Sequence, residues 1–184
     1  MFAHVVDKKI KFLSSRPASG VKLIPIDASE KPEHDSRYQY LYEKNIDQWR
    51  VEEERVVVTY DVITHDFQSF KLKKIEEIRA AAQKAADQYI ARYPDFEVAS
   101  WPTQVEEAKR FIVDHQTETP FCDAASAARE IDKEDFIQRV LSNAEAFSVA
   151  SGEIAGKRQR LETRINSINP DDVDAVKKIA EITW

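Results

Sequence analysis

The spacing of apolar residues changes character near residue 65. Before it, short apolar runs are broken by polar turns: Phe2 to Val6 and Ile10 to Leu13 flank Asp7-Lys8-Lys9, which reads as a hairpin connection. Ser14 to Gly20 reads as a loop, Lys22 to Ile26 as a short apolar run, and Asp27 to Ser36 as a polar, exposed stretch. Tyr38, Tyr40 and Tyr42 recur at period two, as do Trp49 and Val51, and Arg55 to Ile63 is rich in β-branched residues. About five short strands in a small antiparallel sheet are predicted for residues 1–65.

After His65 the period becomes helical. Ile75, Ile78, Ala82, Ala85 and Tyr89 step by three and four in a stretch without Gly or Pro, which predicts a helix over about 66–93, ended by Pro94. Thr103 to Glu106 reads as a capping box behind Pro102, opening a helix over about 103–114. Thr119-Pro120 opens another over about 119–129, Asp132 caps a long one over about 132–168, and Asn169-Pro170-Asp171-Asp172 opens a last one over about 170–182. The predicted fold class is therefore α+β, with an N-terminal sheet domain (1–65) and a helical region (66–184).

The helix over 132–168 carries the most information. Positions 137, 140, 144, 147, 151, 154, 158, 161, 165 and 168 step by three and four without interruption, and eight of these ten are apolar, which is a coiled-coil-like seam. Its partner is either the helix over 66–93 of the same chain or another chain. Ser151 and Arg158 interrupt the seam, and Gly152 and Gly156 remove bulk in a helix interior where each costs about 1 kcal/mol relative to Ala. Phe147, Gly152, Ile154, Gly156, Leu161 and Ile165 are accordingly the expected protein interface, and a homo-oligomer is the expected state.

Composition narrows the chemistry. Among 184 residues only three are glycine, so neither a GxGxxG nor a GxxxxGK phosphate cradle can be written. The net charge of −6 disfavours phosphate backbones, and nucleic acid is not an expected partner. A single cysteine excludes an internal disulfide and any zinc site with two thiolates. No run of about 18 apolar residues exists, so no membrane partner is expected, and folding in a reducing cytoplasm is.

Catalytic constellations are equally sparse. His4, His34, His65 and His115 lie far apart, without HExxH spacing, and no metal site is expected. Cys122 could pair with His115, but its neighbours Phe121 and Ala125 look like core, and an inert buried thiol is the expectation. Glu52, Glu53 and Glu54 read as a hairpin turn, and the tyrosine stripe with Trp49 reads as a sheet face covered by a helix rather than an aromatic platform. Lys71, Lys73 and Lys74 read as a solvated face among Glu76 and Glu77, and Lys157 to Arg160 as a basic run whose members diverge around a helix. No enzyme activity and no cofactor are expected.

Three runs carry a likeness to known proteins. Trp101, Gln104, Glu107 and Ala108, then Thr119, Pro120 and Arg129, then Gly156, Arg158, Gln159 and Leu161 match a W-x-x-Q-x-x-E-A opening, a T-P start leading to A-A-R, and a G-x-R-Q-x-L end. The chain thereby resembles, over roughly 67–168, small tail proteins of tailed bacteriophages labelled tail fibre or tail fibre assembly proteins. The resemblance implies a noncatalytic baseplate or fibre-attachment component of the virion tail, made in the host cytoplasm, whose partners are other tail proteins. A fibre-assembly chaperone that leaves the mature particle is the alternative version. A small carbohydrate-binding module using the N-terminal sheet is an alternative of a different class. Where the family pattern has Gly after the middle Arg this chain has Glu130, so the bend there is expected to be made differently.

Overall fold

The structure is a computed structural model that describes residues 1–16 and 20–184, so the centre of the expected Ser14 to Gly20 loop lies outside the described residues. The architecture is α+β, as the residue pattern predicts. Among the described residues seven strands come first: β1 (Phe2–Val6), β2 (Lys9–Ser14), β3 (Leu23–Asp27), β4 (Gln39–Glu43), β5 (Arg50–Val51), β6 (Val56–Val57) and β7 (Tyr60–Thr64). Five helices follow: α1 (Phe67–Ile90), α2 (Asp95–Val113), α3 (Pro120–Ala128), α4 (Lys133–Asn166) and α5 (Ala175–Ala180). Two compact units divide the chain: residues Met1–Leu72 with Ile168–Glu181, and Lys73–Ser167 with Ile182–Trp184.

In the first unit, β1 and β2 pair around a two-residue turn in which Asp7 and Lys8 both adopt positive φ, 53° and 59°. Positive φ at both central residues is the primed turn whose twist matches that of paired strands, so the expected hairpin forms despite lacking a glycine. The sheet runs β2-β1-β3-β6-β5, and it is not wholly antiparallel as expected: β3 and β6 pair in parallel, Ile26 opposite Val56 and Asp27 opposite Val57. Parallel neighbours need a crossover, and here the polar stretch after Asp27 and the β4 segment supply it. Ala3, Ile24 and Val56 form its buried core, with Ile10, Trp49 and Val51 packed against them.

β5 and β6 form the expected hairpin across Glu52 to Glu54, closed by the Glu52 amide donating to the Arg55 carbonyl at 2.9 Å. Arg55 reaches Asp27 (2.7 Å), Glu52 (2.8 Å) and Glu30, and Arg50 reaches Glu30 and Glu52, so an exposed ionic network crosses the parallel junction. β4 and β7 make a separate two-stranded ribbon. Two of its tyrosines overturn the expectation of a covered face: Tyr40 and Tyr42 are exposed, while Tyr38 and Trp49 are half-buried. His65 bridges Tyr40 and Phe70, with ring centroids at 5.1 Å and 5.5 Å.

Two helix boundaries in the C-terminal half also depart from expectation. The capping-box start at Thr103 is not used: α2 already runs from Asp95, capped by Pro94, and carries Pro102 inside it. A proline there removes one backbone donor and costs about 3 kcal/mol in an isolated helix. Burial of Ala108 and Phe111, and edge-on contacts of Trp101 with Tyr93 at 5.2 Å and Phe147 at 5.5 Å, hold the helix through it. The predicted helix over 170–182 shrinks to α5, since Asn169 and Asp172 side chains accept from the amides of Asp171 and Asp174 and hold that stretch in turns.

Candidate interaction face

The long helix begins as its sequence dictates. The Asp132 carboxylate accepts from the amides of Glu134 (2.8 Å) and Asp135 (3.2 Å), satisfying two donors that the first turn leaves free. Phe136 and Ile137 then enter a buried cluster with Ala108, Phe111 and Cys122.

Gln104 and Glu107 of the W-x-x-Q-x-x-E-A run meet the residues that follow Thr119-Pro120 at the joint between α2 and α3. Thr119 occupies the N-cap of α3 but makes no capping bond with its side chain. The carboxylate of Glu107, buried in α2, does so instead: it accepts from the Phe121 amide at 3.3 Å and the Cys122 amide at 2.9 Å. A negative charge at the positive end of a helix dipole, bonded to two of its free amides, is a strong cap. Burial, with Glu107 beside it, pushes the Cys122 thiol up to about 11, so it is protonated and unreactive at neutral pH. His115 lies instead against the Phe111 ring, 4.6 Å between centroids, and 3.6 Å from Glu134.

The other end of α3 corrects the expectation about Glu130. Its φ is 54°, the left-handed conformation a glycine would supply, and the Glu130 and Ile131 amides donate to the carbonyls of Ala127 and Ser126. The bend is thus the two-bond helix ending found at glycine, made by a glutamate.

Along α4 the six residues named from the sequence do not form one face. Leu161 and Ile165 are buried within the chain, Ile154 is half-buried, and Phe147 rests on Trp101. The seam is the inward face of this helix. Gly152 and Gly156 lie two residues from Ile154, which is about 200° and 160° around a helix at 3.6 residues per turn. They point outward, and a Cβ built on either meets nothing within 4 Å. Among the described residues neither glycine is closely approached.

Polar side chains reinforce the inward face. Glu162 takes hydrogen bonds from Arg79 of α1 (3.0 Å) and from Arg158 (2.8 Å), and the Arg79 guanidinium holds its carboxyl below the usual range. Lys157 lies over the Trp184 ring, 4.5 Å from its centroid. The basic run therefore diverges as expected, leaving Arg160 in solvent. Sequence reasoning missed the parts played by Glu107, Arg79 and Glu162. Only a glutamate beside the apolar stripe of Ala108 and Phe111 signalled the first.

A shallow concavity of about 460 Å³ lies between the end of α1 and the start of α2, lined by Asp87, Ile90, Tyr93 and Asp95 among others. Among the described residues no three His, Cys, Asp or Glu side chains gather to hold a metal, and no helix is long and apolar enough to cross a membrane.

These features define an α+β chain whose C-terminal half is a helical assembly organised on one long helix. Residues 142–184 match the model of the HI1402 helical domain, a segment containing all six residues named from the sequence. No curated protein and no solved structure matches the chain.

Proposed function

We propose that the protein is a noncatalytic component of a bacteriophage tail, a baseplate or fibre-attachment part that acts through contacts with other proteins. The observation that carries this reading is the use to which the tail-protein motif residues are put. Glu107, Thr119 and Pro120 sit at the joint of α2 and α3, where Glu107 caps α3, and nearer the start of α2 Trp101 bridges Tyr93 and Phe147 of α4. The motif describes a rigid presentation of α4, which supports a part whose role is to hold a surface in place.

Mass spectrometry of purified particles tests the proposal: the protein is expected at a fixed copy number. Its absence from particles, with fibres lost on deletion of the gene, would favour the assembly chaperone. Normal particles and normal infectivity without the protein would defeat both versions.

One observation favours the carbohydrate-binding reading. Tyr40 and Tyr42 stand exposed on one side of the β4–β7 ribbon, the arrangement used for stacking on sugar rings. A Tyr42→Ala change that removes binding on a glycan array would support that reading, and an array with no binding by the parent protein would end it.

A further inference from the structure

Among the described residues, Glu145 and Arg160 on the outward face of α4 make no ion pair, and a Cβ at Gly152 or Gly156 would meet nothing within 4 Å. We infer that this face pairs with the same face of a second copy, antiparallel, about a two-fold axis midway between Gly152 and Gly156. The inference rests on the reading of the chain as an assembly protein and names one partner for it.

Helix geometry places Glu145, Gly152, Gly156 and Thr163 on one narrow stripe, within about 40° of one another at 100° per residue, with Arg160 on its flank. All five are exposed. The stripe lies opposite the buried side chains of Ala150, Leu161 and Ile165. Neither Glu145 nor Arg160 makes an ion pair among the described residues, whereas Arg158 and Glu162, on the inward side, pair with each other. The two glycines weaken a helix interior and bring no close contact inside the chain.

Charge decides the partner and its direction. From Glu134 to Glu153 the helix holds four acidic residues and one basic; from Lys157 to Arg164 it holds four basic and one acidic. A parallel copy would set Glu145 against Glu145 and Arg160 against Arg160, whereas an antiparallel copy centred at position 154 brings the partner's Arg160 level with position 148, within one turn of Glu145. With the axis at position 154, Glu145 lies nine residues before it and Thr163 nine after, so the two share one level across the pair. Arg160 is then about 4.5 Å along the axis from the partner's Glu145, within reach of an arginine side chain. At the centre, the glycines let the two backbones approach, which a second helix needs and solvent does not.

Disulfide mapping on the full chain tests both pairing and direction. Glu145→Cys and Thr163→Cys are exposed positions, and Cys122 is buried with a thiol raised to about 11, so background coupling is low. Under mild oxidation the mixture of the two variants is expected to give a cross-linked heterodimer. Each variant alone is expected to give little, since like positions lie about 27 Å apart in the antiparallel pair. Self-coupling of either variant as efficient as that of the mixture, or no coupling in the mixture, would overturn the inference.

Sedimentation at about 100 µM gives the second readout: Glu145→Arg and Arg160→Glu are each expected to weaken self-association about tenfold, and the double variant to restore it. A parent chain that stays monomeric, or a double variant no better than either single one, would equally overturn it. Particle composition is read separately, so a chain absent from particles but paired in solution refutes the tail reading and leaves the pair standing.

Discussion

The joint between α2 and α3 ties two consecutive helices, and the junction between β3 and β6 ties strands thirty residues apart, with different electrostatics. At the joint a single carboxylate, Glu107, is buried and bonded to two amides. At the junction five charged side chains, Asp27, Glu30, Arg50, Glu52 and Arg55, form a network in solvent. Burial decides what each is worth. Water and salt compete with the network at every contact, whereas nothing replaces the Glu107 oxygens if they are removed.

The largest expected effect tests that contrast directly. Glu107→Ala strands two amides at the start of α3 and is expected to destabilise the protein by about 3 kcal/mol, the scale of unpaired buried polar groups. Urea unfolding should show this loss unchanged between low and high salt. A loss that shrinks in salt would mean that the joint behaves like the surface network.

Smaller changes sharpen the comparison at the joint's edges. Glu130→Gly relieves a left-handed glutamate and is expected to stabilise by about 1 kcal/mol. Asp132→Ala removes the α4 cap and is expected to cost about 1 kcal/mol. Both are read from shifts of the urea midpoint at constant slope. Equal effects of opposite sign would cancel in the double variant, because the two residues serve different helices.

The smallest effects belong to the surface pairs. The Arg37 guanidinium beside Asp35 lowers its carboxyl to about 2, and hydrogen bonds from Ser29 and from Arg55 hold Asp27 and Glu52, respectively, below their usual values. A carboxylate with a lowered folded-state value adds stability above the unfolded value, and that stability is lost as pH falls. The Asp35 contribution should therefore vanish between about pH 4 and pH 2. Arg55→Ala is expected to change stability slightly at neutral pH and low salt, and not at all in 1 M sodium chloride, where screening reaches about 3 Å. An Arg55→Ala loss as large as that of Glu107→Ala would break the comparison.

Local features were legible in the sequence to the extent that their signals are local. Asp132 as a cap, Thr119-Pro120 as a start and the Asp7-Lys8 turn follow from residues within one turn of the feature, and the span of α4 from an unbroken period along it. Pro102 misled because its usual effect is set by the backbone alone, and here Trp101 and Phe111 pack strongly enough to continue α2. The parallel β3–β6 pair joins residues thirty apart, which no local period reports. On α4 the stepping was legible, and its direction was left open between a helix of the same chain and another chain. Apolar spacing identifies a stripe, and only packing shows whether that stripe turns toward the chain or away from it.

The raised thiol of Cys122 also gives the protein an internal clock. A cysteine sealed under the Glu107 cap reacts with an alkylating reagent only while α2 and α3 are apart, so its rate of modification counts openings of that joint. Measured on the parent chain, with no label attached, that rate reports how often the helices separate under native conditions. It would distinguish a joint that opens by itself from one that opens only when the whole molecule unfolds.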